Sequence, residues 1–197
     1  MASRIPLIIG CLVLLVTTPC SASVLSPDMS IIAEASQLLT GTSGGEWTAS
    51  SELWSISVPA YVPGDLLSDL QVNKIIGDPW YELGFLNTTT PGAQGSPIWD
   101  TGNWTYTTTF AASTEIQSIL NSGGTSMLVF DGVKMAATVS LNGKILGIVN
   151  DQFLRFTFPL NSKLLLPTNN LLTVTFSTSL DAANSQGRFS GVSLLSY

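Results

Sequence analysis

The stretch from Ser126 to Val149, SMLVFDGVKMAATVSLNGKILGIV, reads as strand, turn, strand, turn, strand. Asp131-Gly132 and Asn142-Gly143 are strong turn signals, each set between apolar runs. From Met135 to Leu141 the residues alternate. Met135, Ala137, Val139 and Leu141 point one way, while Ala136, Thr138 and Ser140 point the other. A period of two marks a strand with one buried face. A two-residue turn at Asn142-Gly143 predicts that Leu141 faces Lys144, Val139 faces Leu146 and Ala137 faces Ile148, so that the apolar sides coincide. The stretch therefore predicts an antiparallel sheet at the centre of a β-sandwich.

Working outward, 197 residues suit one domain large enough to bury a core. Charged residues make up only 10%, and the net charge is −6 with 7 basic residues scattered singly. That distribution lacks the basic patch that nucleic-acid binding requires. The chain contains no histidine, which excludes Ser-His-Asp and Cys-His catalysis and most zinc sites. No phosphate loop or metal cluster is legible, and no cofactor is expected.

The N-terminus reads as a targeting segment, residues 1–23. Arg4 supplies a positive n-region, and Pro6 to Val16 is an apolar run too short for a comfortable span. Thr17-Thr18-Pro19 breaks it, and cleavage is expected after Ala22 or Ser23, in preference to an uncleaved anchor. Both cysteines, Cys11 and Cys20, lie inside this segment, so the cleaved chain is expected to carry no disulfide and no membrane attachment.

Residues 24–36 read as a lead-in and 37–180 as the sandwich. Gln37–Thr40 and Glu46–Ala49 flank the turn-rich 41–45 and predict a short hairpin with Trp47 buried. Trp54–Val58 alternates and predicts a strand ending at Pro59. Asp65 is placed to cap a helix over Leu66–Asn73, with Leu66, Leu67 and Leu70 as its apolar side. Asp65 and Asp69, four apart, read as a cap plus a solvated face in preference to a catalytic or metal-binding pair, because no third ligand joins them. A long Gly-, Pro- and Thr-rich segment follows, reaching Gly102 and carrying Trp80, Tyr81, Phe85 and Trp99. Trp80, Tyr81 and Trp99 are candidates for a sugar platform or for a domain interface. Asn103–Phe110, Phe153–Leu160 and Leu171–Ser177 read as further strands, with Ser113–Leu120 as a connection containing a helical turn and Pro167–Asn170 as a turn. Asn87-Thr88-Thr89 and Asn103-Trp104-Thr105 are sequons, making Asn87 and Asn103 candidate glycan acceptors in a secreted chain. About eight or nine short strands and one helix predict an all-β, jelly-roll sandwich.

Several stretches taken together resemble one family. They are Val62-Pro63-Gly64-Asp65 with Ser68-Asp69-Leu70, Ile76-Gly77-Asp78-Pro79-Trp80-Tyr81, the strand Asn103–Phe110, Val129-Phe130-Asp131-Gly132-Val133 leading to Val139-Ser140-Leu141-Asn142-Gly143, and Asn169-Asn170-Leu171. In this order they resemble the N-terminal galactose-binding-like jelly-roll domain of β-mannosidases in glycoside hydrolase family 2. The resemblance covers roughly residues 39–179. It implies a parent enzyme that removes terminal β-linked mannose from oligosaccharides or glycoprotein glycans, in the extracellular space or the lysosome or vacuole. It also implies catalytic glutamates in a downstream barrel, so that catalysis would fall to missing C-terminal domains. Residues 181–197 depart from the pattern: Asn184–Phe189 starts plausibly, but Ser190–Tyr197 does not continue it, as in a shortened product. Two other readings stay open, a free-standing carbohydrate-binding module and a structural fragment without activity.

Overall fold

Asn142 and Gly143 both adopt positive φ, 52° and 79°, and close a tight hairpin between two strands with Lys144 opposite Leu141. Positive φ at both central residues is the geometry whose twist matches that of paired strands, and Asn-Gly supplies it at least cost. The structure, a computed structural model, describes residues 35–40, 46–78, 97–134 and 136–178, together with the backbone of 8–9 and 13–18.

In chain order the strands are β1 (Ile8–Ile9), β2 (Val13–Thr18), β3 (Ala35–Leu38), β4 (Trp47–Ser51), β5 (Ile56–Ala60) and β6 (Gly64–Asp65), followed by helix α1 (Leu66–Val72). Then come β7 (Trp104–Phe110), helix α2 (Thr114–Asn121), β8 (Thr125–Asp131), β9 (Ala137–Leu141), β10 (Lys144–Val149), β11 (Arg155–Leu160) and β12 (Asn170–Phe176). A six-stranded sheet has the order β10-β9-β12-β7-β4-β5, and a four-stranded sheet the order β11-β8-β2-β3. All pairings are antiparallel, and β1 pairs separately with β6. The all-β sandwich expected from the sequence is the observed fold.

Alternation builds the core. In β9, Ala137, Val139 and Leu141 are buried while Thr138 and Ser140 are half-exposed, as the period predicts; Met135 lies outside the described residues. Trp47, Trp104, Tyr106, Leu172, Val174 and Phe176 from the larger sheet join Leu128, Phe130 and Leu160 from the smaller in one buried cluster. Tyr106 and Phe176 meet edge-on with centroids 5.8 Å apart.

Several expectations need correction. First, Asp131-Gly132 does not close a hairpin: β8 and β9 belong to different sheets, so this turn is a crossover. Gly132 has φ +100° and sits where a side chain would run into the Gln152 carbonyl, so the position needs glycine, but to change sheets. Second, the β9–β10 register holds only at the turn. A bulge between Ile145 and Gly147 sets Gly147, not Leu146, opposite Val139, and Val149, not Ile148, opposite Ala137. A Cβ on Gly147 would lie 2.7 Å from the Phe158 ring of the opposite sheet, so the bulge brings the one residue without a side chain under that ring. Third, Gln37–Thr40 and Glu46–Ala49 form no hairpin, because β3 and β4 lie in different sheets. Fourth, the strand at 54–58 starts at Ile56 and runs through Pro59 to Ala60. Proline is tolerated there because β5 is an edge. Ser113–Leu120 is also more than a turn. It is the two-turn helix α2, capped by the Ser113 hydroxyl accepting from the Ile116 amide, with Ile116 buried.

Candidate functional site

Asp65 and Asp69, four positions apart, both serve structure in the fold. Asp65 caps α1 as expected: Oδ1 accepts from the Ser68 amide at 2.9 Å and Oδ2 from the Ser68 hydroxyl at 2.7 Å. Asp69 is not on a solvated face. It sits between Leu66 and Leu70 on the side of α1 that packs inward, and all three are fully buried. Its Oδ1 accepts from the Tyr61 amide at 2.9 Å and its Oδ2 from the Tyr106 hydroxyl at 2.8 Å. Asn73 finishes the arrangement, donating from Nδ2 to the Pro59 carbonyl at 2.9 Å and the Asp69 carbonyl at 2.8 Å, which ties the end of α1 to β5.

Burial pushes the Asp69 carboxyl above the usual aspartate range, and the Tyr106 and Tyr61 hydrogen bonds oppose that rise. Burial, reinforced by the negative charge of Asp69, drives the Tyr106 phenol well above its ordinary value. A carboxylate whose oxygens are both engaged inside a core has no face left for a substrate. Tyr106 was missed as its partner. The available signal was positional, since a carboxylate flanked by Leu66 and Leu70 at helical spacing must find a buried donor.

Of the aromatic candidates, Trp80 and Tyr81 lie outside the described residues, as do Phe85 and the acceptor Asn87. Trp99 lies in a single 3-10 turn, Ile98–Asp100, half-buried and packed against the core. Its neighbours are anchored to the sheet. Trp104 Nε1 donates to the Ile98 carbonyl at 3.2 Å, Trp54 Nε1 to the Thr101 carbonyl at 3.0 Å, and Thr101 Oγ1 to the Pro97 carbonyl at 3.0 Å. The described end of the aromatic-rich segment, from Pro97 to Thr101, is thus a turn pinned to the sheet. Asn103, exposed at the start of β7, stands beside it.

The outer face of the six-stranded sheet is a second surface that the sequence reading did not single out. Thr48, Thr107, Thr173 and Ser140 fall in one row of the register, and Ser50, Thr105, Thr175 and Thr138 in the next. Thr105 and Thr175 are within hydrogen-bond distance, 3.3 Å between their hydroxyl oxygens. Threonine on the solvated face of an antiparallel sheet is what strand propensity favours, so these rows explain the face without a ligand. Among the described residues no cluster of His, Cys, Asp and Glu could hold a metal ion, and no helix is long and apolar enough to cross a membrane.

With this geometry in hand, comparison with known proteins gives a consistent result. The family described as glycosyl hydrolase 2 galactose-binding domain-like matches residues 43–193. The chain belongs to this family. It is 29% identical over 148 residues to β-mannosidase of Rattus norvegicus, covering 73% of this chain and 15% of the rat protein. It is 31% identical over 136 residues to β-mannosidase A of Emericella nidulans, covering 66% of this chain and 13% of that protein. Among solved structures, a β-D-mannosidase from Dictyoglomus thermophilum shares the fold with a TM-score of 0.56 at 23% identity, over 74% of this chain and 16% of that one. The chain thus spans about one seventh of the length of the curated relatives it matches.

Proposed function

We propose that this chain is the non-catalytic N-terminal sandwich of a β-mannosidase-like glycoside hydrolase, whose whole enzyme removes terminal non-reducing β-D-mannose. The observation that carries the reading is the fate of Asp65 and Asp69. Retaining glycosidases need two carboxyl groups about 5–5.5 Å apart facing a sugar. Here one carboxylate caps a helix and the other is sealed in the core. The family match supplies the parent class. In the parent, the sandwich would pack beside the catalytic domain, with Trp80, Tyr81 and Trp99 serving the contact or the approach of the glycan.

The chain alone is expected to leave a chromogenic β-mannoside unhydrolysed. Turnover by purified chain, retained through further purification and lost on heating, would overturn the reading. A titration with mannosides followed by tryptophan fluorescence separates a docking domain, which gives no saturable change, from a free-standing sugar-binding module, which does.

The targeting segment at 1–23 and the two sequons support passage through the secretory pathway to an extracellular, lysosomal or vacuolar destination. Asn103 is exposed and has room for a glycan. A mass shift on endoglycosidase treatment, reduced by Asn87→Gln and by Asn103→Gln, is the expected outcome; an unchanged mass removes this part of the proposal.

A further inference from the structure

Asn142-Gly143 is the one asparagine–glycine pair in the chain. In such a pair nothing on the second residue obstructs its own backbone nitrogen, because glycine has no Cβ. That nitrogen can attack the asparagine side chain, a slow reaction that helps to make asparagine a heat-labile residue. Gly143 is exposed at the turn between β9 and β10. A Cβ built on it would meet nothing within 4 Å apart from its chain neighbours, so packing does not shield the position. Sequence and exposure together mark a reactive turn.

The side chain of Asn142 is nevertheless held away from that attack. Its Nδ2 donates to the Leu164 carbonyl at 2.8 Å and to Asn170 Oδ1 at 3.0 Å, and its Oδ1 accepts from the Leu171 amide at 2.8 Å. The Asn142 backbone amide also donates to the Leu171 carbonyl at 2.9 Å, which fixes the residue against β12. To bring Cγ onto the Gly143 nitrogen, the side chain must swing back over the turn and release all three of its bonds. Asn170 cannot follow it. That side chain is buried, and its own Nδ2 is held by the Leu166 and Phe110 carbonyls.

We propose that Asn142 is a latent deamidation site, held closed by Asn170 and the backbone of Leu164 and Leu171, and that its conversion unties the 161–169 loop from the β9–β10 hairpin. The Gly143 nitrogen loses its proton and bonds to Asn142 Cγ, while the Cγ–Nδ2 bond breaks and ammonia leaves. Water then opens the resulting ring on one side or the other, giving aspartate or isoaspartate. Either product has lost the donor that served Leu164 and Asn170. Isoaspartate also routes the backbone through the former side chain, which lengthens a two-residue turn whose geometry depends on its φ angles. The modification is therefore slow while the loop is closed and keeps the loop from closing once it has occurred.

The test incubates the full chain near neutral pH, folded and in denaturing urea. The tryptic peptide 135–144 is followed by mass and by chromatographic separation of its aspartate and isoaspartate forms. Conversion of Asn142 is expected to be at least about tenfold slower in the folded chain, since it waits on local opening. Equal rates would overturn the proposal. In Asn170→Ala, checked as folded by circular dichroism, the folded-state rate is expected to rise, and an unchanged rate would show that the network does not hold the site closed. Where that variant does not fold, the unsubstituted chain in urea below its unfolding midpoint gives the same reading. Opening of the loop alone produces a shallow dependence on urea, whereas a dependence as steep as global unfolding would remove the loop from the account. Chain converted in urea and refolded is then compared with intact chain by hydrogen exchange. Faster exchange at the Leu166 and Leu171 amides is expected, and unchanged protection there would overturn the untying.

Discussion

The hydroxyl of Tyr106, on β7, donates to Oδ2 of Asp69, on α1, at 2.8 Å across 37 positions of the chain. Both residues are fully buried. This bond joins the helix that follows the 61–65 turn to the middle of the larger sheet, and the Tyr61 amide on the other carboxylate oxygen joins the turn itself. Removing one partner leaves the other buried and unsatisfied. Tyr106→Phe is expected to cost about 1–3 kcal/mol, the penalty for an orphaned buried acceptor. Denaturant titration at pH 7 checks this, and a loss under 0.5 kcal/mol would mean the carboxylate finds water.

The same site sets a pH dependence with a definite sign. The folded-state pKa of Asp69 is raised, chiefly by burial, so the native state holds the proton more tightly than the unfolded chain. The stability this contributes is fully present below the ordinary aspartate value and is lost as pH rises through the folded value. Glu115, exposed at the first turn of α2, has the opposite sign. Its pKa is lowered, first by its own backbone amide and then by Ser113 and Thr114, so its contribution is present above the ordinary glutamate value and lost on acidification. Asp69→Asn is therefore expected to remove a gain in stability on acidification that Glu115→Gln leaves in place. Midpoints measured from pH 7 down to pH 4 separate the two, and an unchanged slope in Asp69→Asn would contradict the assignment.

The bulge in β10 makes a packing prediction. Gly147 lies under Phe158, whose ring also meets Phe130 edge-on at 6.0 Å. Gly147→Ala is expected to destabilise by roughly 1–3 kcal/mol through overpacking. Phe158→Leu should restore part of the loss in the double variant, because the clash is with the ring edge. Additive losses in the double-mutant cycle would show that the two positions do not touch.

How far the sequence disclosed this fold can be read from particular residues. The period of two in Ala137–Leu141, the Asn142-Gly143 turn and the Asp65 cap are local, decided by neighbours a few positions away, and they stand in the structure. What failed was non-local. Asp131-Gly132 has the local chemistry of a hairpin, yet which sheet the next strand joins depends on the whole topology. The bulge at Gly147 is set by Phe158 on another strand, and the inward turn of Asp69 by Tyr106 far along the chain. For the site, the sequence singled out aromatics and sequons but could not tell that Trp99 would pack half-buried against the core. Glycine and asparagine were legible as turn residues, whereas their second roles were not.

Asn142 and Asn170 show that second role most clearly. Beyond closing the β9–β10 turn, Asn142 donates from Nδ2 to the Leu164 carbonyl at 2.8 Å and to Asn170 Oδ1 at 3.0 Å, and its Oδ1 accepts from the Leu171 amide at 2.8 Å. Asn170 is fully buried. Its Oδ1 also accepts from the Leu166 amide at 2.8 Å, and its Nδ2 donates to the Leu166 carbonyl at 2.7 Å and the Phe110 carbonyl at 3.3 Å. Two side-chain amides thereby satisfy backbone groups of Leu164 and Leu166 in the loop before β12 and of Leu171 in β12, tying both to the β9–β10 hairpin. Asn170→Ala should cost about 1–3 kcal/mol, since it removes every hydrogen bond of a fully buried side chain and leaves its partners on Leu166, Phe110 and Asn142 unpaired. Asn142→Asp keeps the acceptor for Leu171 but places a charge where an amide donated, and should also destabilise. Because the residues are directly bonded, the Asn142→Ala, Asn170→Ala cycle should give a coupling of about 0.5–3 kcal/mol. Strict additivity would show that the two asparagines act on the loop independently, and that the bond between them contributes nothing to holding it.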